Sequence, residues 1–427
     1  MKSPRTILPE PTSAQTIWQA NLYQELSFAY KNISRRARRS MLAMPAIVCG
    51  ITALILASGF IEWILDYGRE SEIHSRLGHI RVYKPGYLDS GQADPWAYLL
   101  PINAKQTAQL ESVRRIRLIA PRLSFNGLIS HGESTISFIG EGVDVERERE
   151  LSRSMTIVAG EGLSPEDPKG ITLGQGLADN LGVAPGDTVV LLVNTASGGI
   201  GAVEGHVRGL FATVMKDFDD SALRVPIALS RQLLRVSGAH SLALLIDRTA
   251  NTDSVVAELR ERFRGQPLEF VPWYELSDFY TKTAELFSRQ VNTVRLIIAV
   301  IIILSISNSL IMSVMERTGE IGAMMATGTS RAGILRLFVF EGALLGLFGG
   351  IAGLLAGWLA AIGISAIGIP LPTPPGMSFG YTAGIMFTWP IAGQALGLAV
   401  ATTLFASLYP AWKASRLEIV NALRHNR

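Results

Sequence analysis

The sequence predicts an α-helical membrane protein: four transmembrane helices, with a large α+β extracytoplasmic domain inserted between helices 1 and 2. Apolar residues make up 48% of the 427 residues and are concentrated in four blocks, which a single soluble core would not require. Only 18% of the residues are charged, fewer than a soluble chain of this length usually carries. Basic residues cluster beside the apolar blocks, as they do in cytoplasmic loops.

The first apolar block follows a basic segment, residues 1–44, which we expect to be cytoplasmic because of the arginines in Arg35–Arg39. We assign transmembrane helix 1 to residues 45–65, with Pro45 in the favoured first turn. The basic segment is long for a cleaved signal peptide and no Ala-x-Ala site closes the block, so we expect a retained anchor. The single cysteine, Cys49, excludes an intrachain disulfide and a cysteine-based metal site.

Residues 66–290 are expected to form the extracytoplasmic α+β domain with stalk helices, and residues 160–234 are a candidate second lobe. Short alternating runs predict strands, and Gly174–Leu181 predicts a short helix that ends at Gly182. The glycine-rich stretch Thr195–Gly205 predicts an exposed hairpin tip. From Trp273 to Met315 there is neither proline nor glycine, which predicts one long helix that starts as a stalk and enters the membrane.

Hydropathy and charge divide the rest of the chain. We assign transmembrane helix 2 to 291–315, a cytoplasmic coupling helix to 316–333, transmembrane helix 3 to 334–366, an outer loop to 367–388, transmembrane helix 4 to 389–410 and a cytoplasmic tail to 411–427. No lysine or arginine occurs from Ala343 to Leu408, which places the outer loop outside. We therefore expect a multi-pass protein of the cell inner membrane with both termini cytoplasmic and the large domain in the periplasm.

Glycines four residues apart in transmembrane helix 3 predict close packing against other helices. They form two overlapping series, which are Gly342, Gly346 and Gly350, and Gly349, Gly353 and Gly357. We interpret Glu341, near the cytoplasmic end of the same helix, as an interfacial carboxylate.

Motifs of the common enzyme sites are absent from the sequence. It contains no G-x-x-x-x-G-K-[ST] phosphate loop, no G-x-S-x-G nucleophile elbow and no H-E-x-x-H, and its six histidines lack metal-ligand spacing. We expect no catalytic, cofactor-binding or metal-binding residue in this chain, and no enzymatic activity by the chain alone. The net charge of +3 reflects basic residues beside the membrane spans, so no nucleic-acid partner is expected.

The chain resembles the MacB/FtsX/LolC-type permeases of ABC transporters, the mechanotransmission class. The pattern E-R-x-x-E-I-G-x-x-x-A-x-G-x-x-R-x-x-I of that family is matched by Glu316, Arg317, Glu320, Ile321, Gly322, Ala326, Gly328, Arg331 and Ile334. Tyr409–Arg424 is similar to the family ending, with Ile419 where proline is usual and Trp412 where a basic residue is common. Weaker similarity lies in Leu173–Val190 and Val207–Asp219.

The resemblance implies a permease subunit that transmits ATPase motion across the inner membrane to extract or export a lipoprotein, lipid, peptide or drug. It implies an ABC-type ATPase in a separate chain, which supplies ATP hydrolysis, and a homodimer or a heterodimer with a related permease. The implied ATPase-coupling residues are Glu316, Arg317, Glu320, Ile321, Gly322, Ala326, Gly328 and Arg331. An outer-partner loop containing Asn194, Gly198, Gly199 and Gly201 implies a periplasmic chaperone or adaptor protein.

A second interpretation remains open from the sequence. An FtsX-like scaffold would transport nothing and would regulate an extracytoplasmic partner such as a cell-wall hydrolase. The large insert favours transport, because inserts of the FtsX type tend to be smaller.

Overall fold

The computed structural model describes residues 37–91, 93–101, 104–372 and 380–418. Of the predicted segments, residues 1–36 of the N-terminal segment, 373–379 of the outer loop and 419–427 of the tail lie outside the described residues. The chain divides into two compact units. Of the described residues, unit 1, the membrane unit, holds those up to Trp63, Leu286–Ile369 and those from Ala383 onward. Unit 2, the insert, holds the described residues of Ile64–Glu285 and Pro370–Thr382.

The first helix is longer than the predicted span. Helix α1 covers Ala37–Glu72 and continues into a π-helical turn, Ile73–Leu77. Pro45 therefore lies inside the helix, not in its first turn. An interior proline removes one backbone hydrogen bond, and transmembrane helices tolerate this because neighbouring groups satisfy the freed carbonyl.

The insert is built mainly from strands with short helices between them. Its first half contains β1 (Ile80–Tyr83), α2 (Ala104–Glu111), β2 (Ile116–His131), β3 (Ser134–Val143), α3 (Val145–Leu151), β4 (Thr156–Gly160), β5 (Gly170–Gly174) and α4 (Gln175–Leu181). Its second half contains β6 (Thr188–Asn194), β7 (Ile200–Ala212), β8 (Ala222–Pro226), α5 (Ile227–Leu234), β9 (Ser241–Ile246), α6 (Thr252–Arg262) and β10 (Glu269–Pro272). Short helical turns lie at Tyr87–Ser90, Pro95–Tyr98, Lys216–Asp219, Thr249–Asn251 and Trp273–Leu276.

The strands of the insert form one mixed sheet. Its order is β10-β1-β9-β2-β3-β8-β5-β7-β4, with β6 paired to β2 and β7. The pairs β3–β8 and β5–β7 are parallel, and the other pairs are antiparallel. This sheet accounts for the α+β character that the sequence predicts.

Residues 160–234 contribute most of one hydrophobic core of the insert, which also takes residues such as Leu123 and Phe138 from β2 and β3. A second core lies around Ile80, Leu244 and Leu259. The sheet runs through both cores without interruption, and both belong to one compact unit. The candidate second lobe therefore has its own core but is not a separate unit, because the long strand β2 is shared.

Two predicted helix boundaries can be compared directly. Helix α4 ends as predicted at Gly182, whose φ of 73° is left-handed and whose N–H donates to the carbonyl of Ala178. The single helix expected from Trp273 is interrupted at Ser277, whose φ of −113° and ψ of 78° are not helical. The long helix starts instead at Asp278, where an acidic residue in the first turn suits the positive end of the helix.

The remaining elements are α7 (Asp278–Glu316), α8 (Thr318–Ala326), α9 (Arg331–Ile367), β11 (Ile369–Leu371), β12 (Tyr381–Ala383) and α10 (Trp389–Ser415). Four helical segments in the described chain are long and apolar enough to cross a membrane, and they are Met44–Leu77, Asp278–Glu316, Arg331–Ile367 and Trp389–Ser415. Within unit 1 they share a buried core that includes Ile51, Ile302, Leu345 and Ala399. The predicted fold class is thus confirmed.

Candidate functional site

The segment between α7 and α9 is the candidate site. Helix α7 ends at Glu316, Arg317 leaves the helical conformation, and α8 begins at Thr318. The Thr318 hydroxyl donates to the carbonyl of Met315 at 2.6 Å, which supports the bend. Helix α8 is therefore a short separate element, and the predicted coupling segment 316–333 spans the end of α7, all of α8, a turn and the first residues of α9.

One face of α8 is anchored in the membrane unit. Ile321 and Met325 are 2% and 9% exposed. They belong to a buried cluster that takes the other residues from α7, α9 and α10, namely Val314, Ile334, Phe338, Ala411 and Ala414. Gly322 is also buried. The packing fixes α8 to three transmembrane helices at once.

Arg317 is buried at the joint between α7 and α8. Its Nε lies 3.1 Å from Oε2 of Glu320, and its Nη1 lies 3.4 Å from Oε2 of Glu341 on α9. The guanidinium also lies over the ring of Phe338, 5.7 Å from the ring centre. These contacts compensate a charge that would otherwise be costly to bury. Arg317 therefore ties the joint to the body of α9.

Sequence reasoning missed this role of Glu341. Glu341 is 7% exposed and accepts from Arg317, so it is a buried ion-pair partner, and its place at the membrane interface stays a prediction. A lone carboxylate inside an apolar span needs a cation nearby, and that signal is present in the sequence. The identity of the cation is not, because 24 residues separate the two side chains.

The opposite face of α8 is open and carries one glutamate and small side chains. Glu320, Ala323 and Ala326 are exposed on the helix, followed by Thr327 and Gly328 in the turn. The three helical positions are three residues apart, so they form one stripe that leads into the turn. A stripe of small residues lets another protein approach the helix backbone closely.

A glycine turn connects α8 to α9. Gly328 has a φ of 101°, which an L-residue rarely adopts, and it donates its N–H to Met325. Ser330 then caps α9 by accepting from the N–H of Gly333 at 3.2 Å. Arg331, the first residue of α9, is exposed. The turn therefore requires glycine for its backbone conformation.

The two glycine series of α9 face two different helices. A Cβ added at Gly342 or Gly346 would lie within 2.6 Å of Ser407 or Thr403 on α10. A Cβ at Gly350 would meet Leu396 and Ala399 of α10, and a Cβ at Gly349, Gly353 or Gly357 would meet Ile47, Ile51 or Ile55 of α1 at 2.8–3.1 Å. Helix α9 therefore lies between α1 and α10 within the membrane unit.

The hairpin tip in the insert is shorter than predicted. It comprises residues 195–199, because the strand β7 already begins at Ile200 and Asn194 ends β6. Gly198 is exposed with a φ of 81°, and the Gly199 N–H donates to the Thr195 hydroxyl at 3.1 Å. Gly201 is buried, and a Cβ there would lie 2.4 Å from the Leu233 carbonyl, so Gly201 serves packing in β7 and does not belong to the exposed tip.

The insert contains a buried charge cluster that sequence reasoning did not find. Arg122 pairs with Glu141 at 2.7 Å and with Glu148 at 2.9 Å, and Arg224 pairs with Glu148 at 3.0 Å. Burial by itself would raise the pKa of Glu141, but Arg122, Arg224 and Arg81 lower it to about 2. Burial lowers the pKa of Arg224. The side chains come from three strands and α3, so no local sequence motif contains them.

No group of three or more histidine, cysteine, aspartate or glutamate residues within the described ranges could hold a metal ion. The chemistry of the described part of the candidate site is that of packing and ion pairing.

Two family models match the chain. The family described as MacB-like periplasmic core domain matches residues 40–262, and the family described as FtsX-like permease C-terminal matches residues 292–419. The first match covers more than half of the chain.

The relatives include permeases of two kinds. The chain is similar to the lipoprotein-releasing system transmembrane protein LolC of Neisseria meningitidis serogroup B, with 25% identity over 404 residues, covering 90% of this chain and 94% of the relative. It is also similar to the macrolide export ATP-binding/permease protein MacB of Hyphomonas neptunium, with 25% identity over 425 residues, covering 95% of this chain and 61% of the relative. The solved periplasmic region of MacB from Actinobacillus actinomycetemcomitans aligns with 47% of this chain and 92% of that chain, with 13% identity and a TM-score of 0.34.

Proposed function

The chain belongs to the MacB/FtsX/LolC-type family of ABC transporter permeases, and from this premise we propose that it transmits the motion of an ATPase across the membrane. It is a multi-pass membrane protein with a domain of the periplasmic type. We propose that the membrane is the cell inner membrane, that both termini and α8 are cytoplasmic, and that the insert is periplasmic. The charge asymmetry of the loops supports this orientation.

The observation that carries the proposal is that the two faces of α8 differ, one being exposed and the other packed against the membrane unit. Its exposed stripe of small residues suits a protein partner, whereas its other face is fixed to α7, α9 and α10 through the buried cluster and Arg317. Because α8 is fixed to these helices, a displacement of α8 would move the transmembrane helices with it. Helix α7 runs without interruption for 39 residues, ~58 Å at the usual rise per residue, and can act as a stiff lever.

We propose that the partner on α8 is an ABC-type ATPase in a separate chain and that ATP hydrolysis occurs there. We further propose that the permease works as a homodimer or with a related permease. We propose a cargo such as a lipoprotein, lipid, peptide or drug that is extracted or exported at the outer face. The relatives named for lipoprotein release and for macrolide export support a cargo of this range. The exposed hairpin tip at residues 195–199 is the proposed contact for a periplasmic chaperone or adaptor.

Transport is the better supported of the two functions. The MacB-like periplasmic core domain matches the insert, and the relatives include an export protein and a lipoprotein-releasing protein. An FtsX-like scaffold would also match the C-terminal part, but the match there does not distinguish the two functions.

Co-purification tests the proposal. The tagged chain is extracted from its native membrane in mild detergent, bound proteins are identified by mass spectrometry, and ATP hydrolysis is measured. We expect an ABC-type ATPase chain with activity. Absence of such a chain in several detergents would contradict the coupling function.

A matched pair of variants tests the role of α8. Ala323→Trp places a large side chain on the exposed stripe of α8 and should abolish binding or stimulation of the ATPase. Ala401→Trp, at an exposed position of α10, is the control and should bind the ATPase like the natural chain. Ala323 is a sharper target than Gly328, because any side chain at Gly328 would also strain the turn. Normal stimulation by Ala323→Trp would show that α8 is not the contact.

A further inference from the structure

Strand β4 leaves one edge of the insert sheet open. It pairs only with β7 among the strands that the structure describes, and four of its five residues are exposed, including Ile157 at 36% and Val158 at 48%. It contains no charged residue and no proline, with which proteins usually protect an edge; a bulge between Ile157 and Ala159 protects it in part. At the opposite end of the sheet, three of the four residues of β10 are buried. Strand β4 therefore offers unpaired backbone groups and apolar side chains to another strand.

A cavity of ≈ 350 Å³ lies beside this edge. Its apolar walls include Met155, which precedes β4, Ile157 of β4, and Leu163, which follows the strand. Its polar lining includes Glu148 of α3, Thr172 of β5 and Arg224 of β8. A peptide paired with β4 would pass the mouth of this cavity, so one of its side chains could enter.

The polar lining contains atoms without partners. Thr172 and Arg224 lie opposite each other on β5 and β8, and Nη1 of Arg224 lies 3.0 Å from Oε1 of Glu148. All three side chains are at least nine-tenths buried. Oγ1 of Thr172, Nε of Arg224 and Oε2 of Glu148 have no hydrogen-bond partner within the described chain. These atoms are themselves covered, so a ligand in the cavity reaches them only if the side chains rotate toward it. Such a ligand would be favoured, because an unsatisfied buried polar atom costs about 1–3 kcal/mol.

The buried charges beside the cavity carry a positive surplus. Three guanidinium groups, of Arg81, Arg122 and Arg224, lie within 4 Å of only two carboxylates, of Glu141 and Glu148. The neighbouring arginines lower the pKa of Glu141 to about 2 despite its burial, so this carboxylate is ionised at neutral pH. The three guanidinium groups outnumber the two carboxylates by one. The low dielectric of the interior strengthens the attraction of that surplus for an anion.

Further charges line the rim of the cavity. Arg208 pairs with Glu161 and Asp167, and Arg149 is exposed at the mouth. The lining as a whole holds three arginines against two glutamates. Glu148 would repel an anion through Oε2, but its charge is already compensated by Arg122 and Arg224 through Oε1. An acidic side chain therefore matches the cavity better than a basic one.

We propose that β4 and this cavity bind an extended polypeptide segment of another protein, with its backbone added to the sheet edge and an acidic side chain in the cavity. The edge gives the main-chain hydrogen bonds, and the cavity selects the side chain. The inference concerns the insert alone and does not depend on coupling to an ATPase.

Peptide selection tests the proposal with the full chain in lipid nanodiscs. The probe is a random octapeptide library displayed on phage, selected in parallel on the natural chain, on Val158→Lys and on Val190→Lys. Val190 is the control, because it is also an exposed valine, at 36%, but lies on β6, within the sheet. We expect peptides with an acidic residue at one position to be enriched on the natural chain and on Val190→Lys, and not on Val158→Lys.

A selected peptide is then synthesised in three forms, which are the original, one with the acid replaced by its amide, and one with alternate backbone amides N-methylated. We expect each change to weaken binding at least about tenfold in fluorescence anisotropy, which is 1.4 kcal/mol. Thr172→Val should weaken binding of the acidic peptide, whereas Thr188→Val, at an exposed position of β6, should not.

Four results would overturn the proposal. Three of them are enrichment of basic peptides, equal binding of the N-methylated form, and no enrichment above Val158→Lys. If Thr172→Val changes neither the affinity nor the amide discrimination, the unpartnered atoms are satisfied by water and the cavity is not a binding site. If the chain stimulates the ATPase but binds no such peptide, this inference is wrong and the proposed coupling function is unaffected.

Discussion

Arg317 and Glu341 are 6% and 7% exposed, a degree of burial that charged side chains rarely show without a partner. Their ion pair ties the joint between α7 and α8 to α9, where it stabilises one arrangement of the segment between α7 and α9. Removal of one member of a buried pair is costly because the other charge loses its compensation. Mutation of either residue is therefore expected to lower the stability of the membrane unit.

Arg317→Met should destabilise the membrane unit by about 3–5 kcal/mol, because the Glu341 carboxylate loses the guanidinium that faces it. The measurement is unfolding of the purified chain in detergent. Arg331→Met is the control: Arg331 is exposed, and its replacement should change stability by less than about 0.5 kcal/mol.

The double variant Arg317→Met/Glu341→Met separates charge from packing. It should be more stable than Arg317→Met alone, since no uncompensated carboxylate remains. A double variant that loses the sum of both single losses would show that the two residues do not interact.

Glu141 should make the stability of the insert depend on pH in the acidic range. Its pKa is lowered from 4.5 to about 2, so its contribution is fully present above pH 4.5 and is lost as the pH falls toward 2. The difference corresponds to about 3 kcal/mol. The Glu141→Gln variant should be less stable than the natural chain at neutral pH. Its free energy of unfolding should also fall less than that of the natural chain between those pH values. Urea unfolding of the full chain, followed by tryptophan fluorescence, measures both; parallel curves for the two proteins would contradict the prediction.

At the scale of elements, α9 shows how one helix serves two interfaces. Glycines four residues apart stay on one face of a helix, so two such series define two faces. In the structure one face meets α10 and the other meets α1. The sequence predicts that both faces pack closely, but it does not identify the helices that pack there.

Gly353→Ala should destabilise the membrane unit, because its Cβ would lie 2.8 Å from Cβ of Ile51 and 3.1 Å from the carbonyl of Val48. Overpacking of this kind costs about 1–3 kcal/mol. Gly363→Ala is the control, since no atom lies within 4 Å of a Cβ there. The control should be neutral or slightly more stable, because alanine favours helix by about 1 kcal/mol. Thermal unfolding in detergent measures the two variants, and equal stability would show that α9 does not pack against α1.

At the scale of the whole molecule, the chain combines a membrane unit with an insert that interrupts it between the first and second spans. Helices α1 and α7 each contribute residues to both units. This arrangement suits a permease in which cytoplasmic and outer segments belong to the same helices. Its orientation in the membrane is open to a direct test.

Cysteine labelling measures the orientation. In a Cys49→Ala background, Ser197→Cys at the hairpin tip should react with a membrane-impermeant maleimide in intact spheroplasts. Thr327→Cys, after α8, should react only after the membrane is permeabilised. Both positions are exposed, so burial does not explain a difference. The reverse pattern would invert the proposed topology.

Local patterns in the sequence were sufficient for the four spans, the α+β insert, the end of α4 at Gly182 and the presence of a short helix after α7. Hydropathy, charge and capping act over a few residues and are therefore visible in the sequence. The start of the long helix at Asp278 and the early start of β7 at Ile200 were not predicted, because tertiary contacts override weak local signals at element ends.

The sequence by itself determined that this chain is a membrane permease with a short segment between its second and third spans, because apolar block length and a family motif are properties of contiguous residues. Only the tertiary structure decided the partner of Glu341, the helices that α9 meets and the cavity beside β4. Those features join residues far apart in the chain, such as Arg224 and Glu148, which are 76 positions apart and 3.0 Å from each other. Folding brings such residues together through the summed packing of the sheet and the helix bundle, which no short stretch of sequence contains.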